Sequence, residues 1–198
     1  MKTFAAFLTA LLAAPVLLAA APAKNPVVEF KTSMGSFKVE LYQDKAPESV
    51  KNFLRYVDEK YYDGTIFHRV IGTFMIQGGG FDKAGTKKTT HEPIKNEAGN
   101  GLKNEKGTIA MARTNVPDSA TSQFFVNVAD NAMLDRANSA DGVGYAVFGK
   151  VTEGMDTVEK IKVVPVTRGG LSEAVPNTQI VIESVRRVGG DGAKEAKK

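Results

Sequence analysis

Residues 67–79 of this chain read FHRVIGTFMIQGG. Two short apolar runs flank a Gly-Thr pair in this stretch, which predicts two neighbouring β-strands joined by a tight turn. Because side chains alternate between the two faces of a strand, Phe74 and Ile76 are expected to share one face unless a bulge intervenes. Met75 and Gln77 are then expected to share the other face.

Short strands separated by turn residues continue on both sides of this stretch. Before it, alternating residues around Gly35 predict a β-hairpin, and apolar residues at helical spacing from Val50 to Val57, after Pro47, predict a helix. After it, a second short helix is expected over residues 155–162. Further strands are predicted at residues 65–70, 74–78, 108–112, 123–128, 145–151 and 179–188. The lack of β-α-β alternation favours an antiparallel barrel or sandwich over a doubly wound sheet.

The first residues differ in composition from the rest of the chain. Lys2 precedes a run of Ala, Leu, Phe and Val that ends in A-P-A at residues 21–23, which is typical of a secretory signal peptide and its cleavage site. We therefore expect residues 1–23 to be removed and residues 24–188 to form one folded domain. The alternative is a retained transmembrane anchor, since the run is near the minimum length for a span. Export of a chain without cysteine fits a bacterial periplasm.

The charge of the chain is mildly basic. The formal net charge is +4, and it falls to +3 without the signal peptide, because that segment holds one Lys and no acidic residue. Several of the cations lie in residues 189–198, which we interpret as a flexible, solvated basic tail. A contact between this tail and nucleic acid is the alternative, but the charge excess is small and no recognition motif accompanies it. No nucleic-acid partner is therefore expected.

Several classes of enzyme are excluded by residues that the chain lacks. It has no cysteine, which excludes thiol chemistry, and its two histidines, His68 and His91, show no zinc-ligand spacing. Neither a G-x-S-x-G motif nor a phosphate-binding loop occurs. Paired carboxylates for glycoside or aspartic chemistry stay open, although no pair stands out in the sequence. A reaction that needs little acid–base chemistry fits these residues best, and we expect neither a metal nor a cofactor.

Periodicity alone favours a structural role for the 67–79 stretch, with Phe74 and Met75 in the core and Arg69 and Gln77 as polar surface residues. Other motifs change this interpretation. Five of them occur in one order and at characteristic distances: FHR at 67–69, FMIQGG at 74–79, MAR at 111–113, SQFF at 122–125 and VFGKV at 147–151. Together they resemble the cyclophilin family of peptidyl-prolyl cis–trans isomerases, and the resemblance covers about residues 27–188.

The resemblance implies a mainly β fold, an eight-stranded antiparallel closed β-barrel capped by two α-helices. The interior of such a barrel is filled by side chains, so the site is expected on its outer surface. The resemblance further implies that Arg69, Phe74 and Gln77 are the catalytic residues. The substrate-binding residues that it implies are His68 at the edge of the pocket, Met75, Ala112, Arg113, Gln123, Phe125, Met133, Leu134 and Tyr145.

Two single residues and one pair depart from the family pattern. Met133 stands where eukaryotic members carry a tryptophan that helps to bind the cyclic peptide cyclosporin, so weak cyclosporin binding is expected. Tyr145 stands where a second pocket histidine is common. Both differences resemble the bacterial periplasmic branch of the family. The pair Gly72-Thr73 also replaces the usual Pro-Gly of that turn.

The function implied by the resemblance is acceleration of rotation about Xaa–Pro bonds in exported proteins, which assists their folding. The expected partners are proline-containing segments of unfolded or partly folded proteins, and the protein is expected to be a monomer with no membrane span once the signal peptide is removed. The alternative is a non-catalytic module that binds proline-containing segments as a chaperone. The presence of Arg69, Phe74, Gln77 and Phe125 favours catalysis over binding alone.

Overall fold

In the computed structural model, which describes residues 25–189, strands β1 (Val27–Thr32) and β2 (Gly35–Leu41) form the predicted hairpin. Along both strands, buried side chains alternate with more exposed ones. This is the two-residue period of a strand that has one face against a core. Phe30 and Phe37 lie opposite each other on the buried face, where their rings stack with centroids 4.6 Å apart.

The other elements follow in the predicted order, with small shifts of their ends. Helix α1 spans Pro47–Asp58 and helix α2 spans Met155–Lys162. A single turn of 3-10 helix spans Ala132–Leu134. The remaining strands are β3 (Thr65–Ile71), β4 (Met75–Asp82), β5 (Thr108–Met111), β6 (Phe124–Asn127), β7 (Val147–Glu153), β8 (Val166–Thr167), β9 (Val175–Pro176) and β10 (Val181–Val188).

Among the described residues, eight strands close into a barrel in the order β1-β10-β3-β4-β6-β5-β7-β2. Every pair of neighbours in it is antiparallel. Closure removes the unpaired edges that an open sheet would expose. The predicted fold class, an eight-stranded antiparallel barrel with two helices, is confirmed. Strands β8 and β9 form a separate two-stranded ladder that the sequence pattern does not predict.

Both helices pack their apolar sides against the barrel. From α1, the ring of Phe53 lies 5.2 Å from that of Phe148 and 5.8 Å from that of Phe124, centroid to centroid. From α2, Val158 and Ile161 are fully buried. Complete burial of a large apolar side chain is worth about 1.5–3 kcal/mol, so these contacts are a substantial part of what holds the helices in place.

Phe74 lies in the turn between β3 and β4 rather than in a strand. Its N–H donates to the carbonyl of Ile71 over 2.8 Å, and β4 begins one residue later. A turn residue does not follow the alternation of the strand, so Phe74 packs with Met75 on the outer face while Ile76 faces the interior. The prediction that Phe74 and Ile76 share a face is therefore wrong.

Two predicted segments fall outside the described residues. These are the signal peptide at residues 1–23 and the basic tail, of which Gly189 alone is described. Both remain predictions, as does the start of the folded domain at residue 24. Within residues 25–189, no helix combines the length and the apolar character needed to cross a bilayer.

Gly79 in β4 occupies a position where a side chain has no room. Its φ is +80°, and an added Cβ would lie 2.8 Å from Cε1 of Phe124 and 2.9 Å from Cε1 of Tyr62. We expect Gly79→Ala to lower the free energy of unfolding by about 2–5 kcal/mol, because backbone strain and overpacking of the core add together. Urea-induced unfolding measures this loss.

Gly101 provides the matched control. Its φ is +82°, but nothing lies within 4 Å of an added Cβ. We expect Gly101→Ala to cost only the backbone strain, about 1–2 kcal/mol. Equal losses in the two variants would contradict the argument that the rings around Gly79 restrict the side chain.

Candidate active site

A β-bulge at His68 turns Arg69 towards the outside of the barrel. Between Phe67 and Arg69, strand β3 advances by two residues while its partner β4 advances by one. Phe67 and Val70 consequently both face the interior, although residues three apart lie on opposite faces of a regular strand. Arg69 pairs with Gln77 of β4 and projects from the outer face. Re-aiming a side chain next to a functional site is a common role of such bulges.

A cleft lies on this outer face, and its floor is apolar. Side chains from β4, β5, β6 and β7 are buried together there, outside the barrel interior. The cleft above them has a volume of about 210 Å³. We call it the outer-face cleft; it is lined by Arg69, Phe74, Met75, Gln77, Ala112, Arg113, Phe125, Leu134 and Tyr145. All of these residues belong to the set predicted from the sequence.

A chain of polar side chains runs along one edge of the outer-face cleft. Arg69 Nη1 donates to Gln77 Oε1 over 3.4 Å, which is long for a hydrogen bond, and Gln77 Nε2 donates to Gln123 Oε1 over 2.9 Å. Gln123 lies in a neighbouring pocket that shares Gln77, Ala112 and Arg113 with the cleft. The three predicted polar residues therefore form one connected row.

Glu173 is a residue of the site that the sequence analysis missed. Its Oε1 accepts hydrogen bonds from Nε of Arg69 over 2.9 Å and from Nη2 over 2.5 Å. The donation from Arg69 holds the pKa of the Glu173 carboxyl below its ordinary value. The side chain of Arg69 keeps 28% of its surface exposed, so a peptide in the cleft still has access to it. No motif marks Glu173, because the loop that carries it comes about a hundred residues after β3.

Arg113 lines the cleft, but its guanidinium is hydrogen-bonded to other residues of the protein. The side chain is 2% exposed, and it donates to the carbonyls of Gly144 and Thr114 and to the carboxylate of Asp141. Its Cζ lies 4.5 Å from the centroid of the Tyr145 ring. Donation from Arg113 holds the pKa of the Asp141 carboxyl far below its ordinary value. Arg113 therefore braces the wall that carries Tyr145 instead of presenting a charge to substrate.

Three residues predicted for the site lie outside the lining of the cleft. Gln123 lines the neighbouring pocket and is bonded to Gln77, whereas the other two do not reach the cleft. His68 is the extra residue of the bulge; it is 3% exposed, and its ring packs against that of Phe81 with centroids 4.7 Å apart. Met133 lies on the 3-10 turn with 58% of its surface exposed, while its neighbour Leu134 lines the cleft. Both assignments are corrected accordingly: one side chain is enclosed and the other points to solvent.

The topology and the outer-face cleft together define a class of protein, the cyclophilin-type barrel. A sequence profile of the family described as cyclophilin type peptidyl-prolyl cis-trans isomerase/CLD matches residues 27–187. The chain belongs to this family. Within the described residues, no three His, Cys, Asp or Glu side chains are grouped so that they could hold a metal ion.

Two bacterial relatives cover most of the chain. It is 54% identical over 171 residues to a peptidyl-prolyl cis-trans isomerase of Acinetobacter baylyi, an alignment that covers 86% of this chain and 90% of the relative. It is 55% identical over 160 residues to peptidyl-prolyl cis-trans isomerase B of Escherichia coli, covering 80% of this chain and 98% of the relative.

Solved structures agree with this assignment. A crystal structure of a cyclophilin type peptidyl-prolyl cis-trans isomerase from Cryptosporidium parvum is 29% identical, with a TM-score of 0.72, and the match covers 84% of this chain and 99% of that one. The family and the bacterial character predicted from the motifs are confirmed. The protein is an enzyme, a peptidyl-prolyl cis–trans isomerase, and the non-catalytic alternative is set aside.

Burial of His68 makes stability depend on pH. Burial disfavours the charged ring, and Arg69 beside it adds repulsion, so the pKa of His68 falls to about 4. In the unfolded chain the pKa is about 6.5. The stabilisation is therefore complete above pH 6.5 and is lost as the pH falls through 4, by on the order of 3 kcal/mol. Urea unfolding at several pH values between 7 and about 4 measures this loss.

His68→Gln is the control for this prediction. It removes the titrating ring and leaves every carboxylate in place, so its free energy of unfolding should fall less steeply over the same pH range. If both proteins lose stability with the same slope, His68 is not the source of the dependence.

Proposed function

We propose that the outer-face cleft is where rotation about Xaa–Pro bonds is catalysed, with Arg69 as the residue that stabilises the twisted amide. The observation that carries this proposal is the position of Arg69, whose partly exposed guanidinium lies at the edge of an apolar cleft. The cleft is lined by apolar residues of the size and shape suited to a pyrrolidine ring: Phe74, Met75, Phe125 and Leu134.

The chemistry of the reaction explains why one donor suffices. Delocalisation of the nitrogen lone pair into the carbonyl makes the barrier to rotation about 18–20 kcal/mol. In the twisted state this delocalisation is lost, and the prolyl nitrogen becomes pyramidal and basic. A donor aimed at that nitrogen binds the twisted state and not the planar one, which is the condition for catalysis. The guanidinium of Arg69 is permanently charged, so no proton has to be transferred.

The apolar floor contributes in two ways. Met75 and Phe125 are almost completely buried in the apolar floor of the outer-face cleft. The surface on which the ring of proline would rest is therefore rigid. A ring held there also excludes water, and an electrostatic contact with Arg69 is stronger in that environment. Each tenfold gain in rate needs about 1.4 kcal/mol, so an acceleration of 10⁵ needs about 7 kcal/mol. A charged hydrogen bond together with orientation of the ring accounts for a gain of this order.

The setting of the activity is also proposed. The pattern of residues 1–23 supports export, and the relatives support a bacterial setting. From the two together we propose a periplasmic location, in which proline-containing segments of newly exported chains are the substrates. We further propose that the protein acts as a monomer in assisting their folding. The exposure of Met133, outside the cleft, supports the expectation of weak cyclosporin binding.

Arg69→Ala tests the proposed mechanism directly. We expect kcat/KM for a short Xaa–Pro peptide to fall about 100-fold, because one charged hydrogen bond of about 3 kcal/mol is lost in the transition state. NMR exchange spectroscopy measures the rate, and the same spectra report whether the peptide still binds. Arg55→Ala, which removes an exposed arginine of α1 outside the cleft, serves as the matched control and should retain activity. An Arg69→Ala enzyme with the wild-type rate would falsify the proposal.

Phe125→Ala tests the floor of the cleft. Phe125 is 4% exposed and its ring contacts the Tyr145 ring edge-on, with centroids 5.8 Å apart. We expect the truncation mainly to weaken peptide binding, by about tenfold or more, because apolar contact area is lost while Arg69 is kept. Peptide titration followed by NMR measures the dissociation constant. Val163→Ala, at a 71% exposed position, is the control, and equal affinities of the two variants would show that Phe125 does not hold the substrate.

A further inference from the structure

The loop that carries Glu173 is docked onto β3 at residues on both sides of Arg69. Ser172 Oγ donates to the carbonyl of His68 over 3.0 Å, and the N–H of Val70 donates to the carbonyl of Ala174 over 2.9 Å. These two hydrogen bonds flank the contact and place Glu173 opposite Arg69. The position of Glu173 beside Arg69 is therefore fixed by the backbone.

The loop is held in register by further contacts of its own. The N–H of Ala174 donates to Ser172 Oγ over 3.2 Å, and the N–H of Gly169 donates to the carbonyl of Ser172 over 3.0 Å. Val175 then enters strand β9, which pairs with β8. Glu173 thus stands on a segment that is supported before and after it, although its own side chain is 46% exposed.

The contact selects one edge of the guanidinium. Arg69 has five N–H donors, one on Nε and two on each Nη. The Nε–H and one N–H of Nη2 donate to Glu173, and one N–H of Nη1 donates to Gln77. The donors that remain lie on Nη1 and Nη2, at the end of the side chain. Glu173 therefore fixes the plane of the guanidinium from the side and leaves its tip for a substrate.

We propose that Glu173 is a positioning residue for the isomerase reaction: its carboxylate holds the Arg69 guanidinium in the orientation in which the tip meets the prolyl nitrogen. This inference rests on the catalytic role proposed for Arg69. Without Glu173, the long side chain of Arg69 regains rotamer freedom, and the weak 3.4 Å contact with Gln77 does not restrain it. Arg168 is a second cation that acts on the Glu173 carboxylate, but it is not among the residues that line the cleft.

A double-mutant cycle tests this proposal in the full-length enzyme, with a short Xaa–Pro peptide as substrate. We expect Glu173→Ala to lower kcat about tenfold with little change in KM, because orientation matters in the transition state. In the Arg69→Ala background, the same substitution should change the rate by less than about twofold, since there is no guanidinium left to orient. Glu173→Gln keeps an oxygen that accepts from the same edge, and it should recover part of the lost rate.

A direct spectroscopic readout accompanies the kinetics. The Nε–H of Arg69 should give a resolved NMR signal that exchanges slowly with water in the wild type, and this signal should be lost in Glu173→Ala. Glu153→Ala is the matched control, because it removes another exposed carboxylate from an ion pair, with Lys38, and Glu153 does not line the cleft. This control should leave both the rate and the Arg69 signal unchanged.

The possible results separate the two proposals. If Arg69→Ala is inactive and Glu173→Ala has the wild-type rate or a higher one, Glu173 is not a positioning residue, while the catalytic role of Arg69 stands. The inference is also overturned if Glu173→Ala lowers the rate equally in both backgrounds, or if Glu173→Gln is no more active than Glu173→Ala. If Arg69→Ala itself keeps full activity, the proposed function fails first.

Discussion

The extra residue in β3 is the constraint on which the site depends. A regular strand sends every second side chain to the same face, and a barrel interior of this size is filled by packed side chains, which in this protein are mostly apolar. By inserting His68, the strand places Phe67 and Val70 both in the interior and still directs Arg69 outwards. The same insertion explains why His68 is enclosed. As the extra residue it has no partner in β4, and its ring packs against that of Phe81.

One sheet therefore serves two functions through its two faces. The inner faces of β4, β5 and β6 contribute Ile76, Ile109 and Phe124 to the main core, and the outer faces contribute the smaller cluster under the cleft. Both clusters are carried by the same hydrogen-bonded backbone, so the floor of the site is as rigid as the barrel. The polar groups at its edge are in turn held by partners outside the sheet, as Glu173 holds Arg69 and Asp141 holds Arg113.

Residue patterns were sufficient for most strands and for both helices, whereas the closed eight-stranded barrel and the residues of the cleft came from the family resemblance. Alternation and turn residues report strands, and the spacing of apolar residues reported α1 and α2 within a residue of their ends. Alternation cannot report the start of a turn, so the face predicted for Phe74 was wrong. The position of His68 at the edge of the pocket came from the resemblance, which does not show that a bulge encloses the ring. The contact of Glu173 with Arg69 could not be predicted either, because the two residues are 104 positions apart and such a contact leaves no local pattern in the sequence.

The pairing of both cleft arginines has a consequence for the range of clients. Arg69 and Arg113 each face a carboxylate, so the two cations add little net field to the mouth of the cleft. A chain approaching with acidic or basic neighbours around its proline meets little long-range attraction or repulsion from them. These two arginines therefore do little to select among peptides by the charge of the residues that flank the proline.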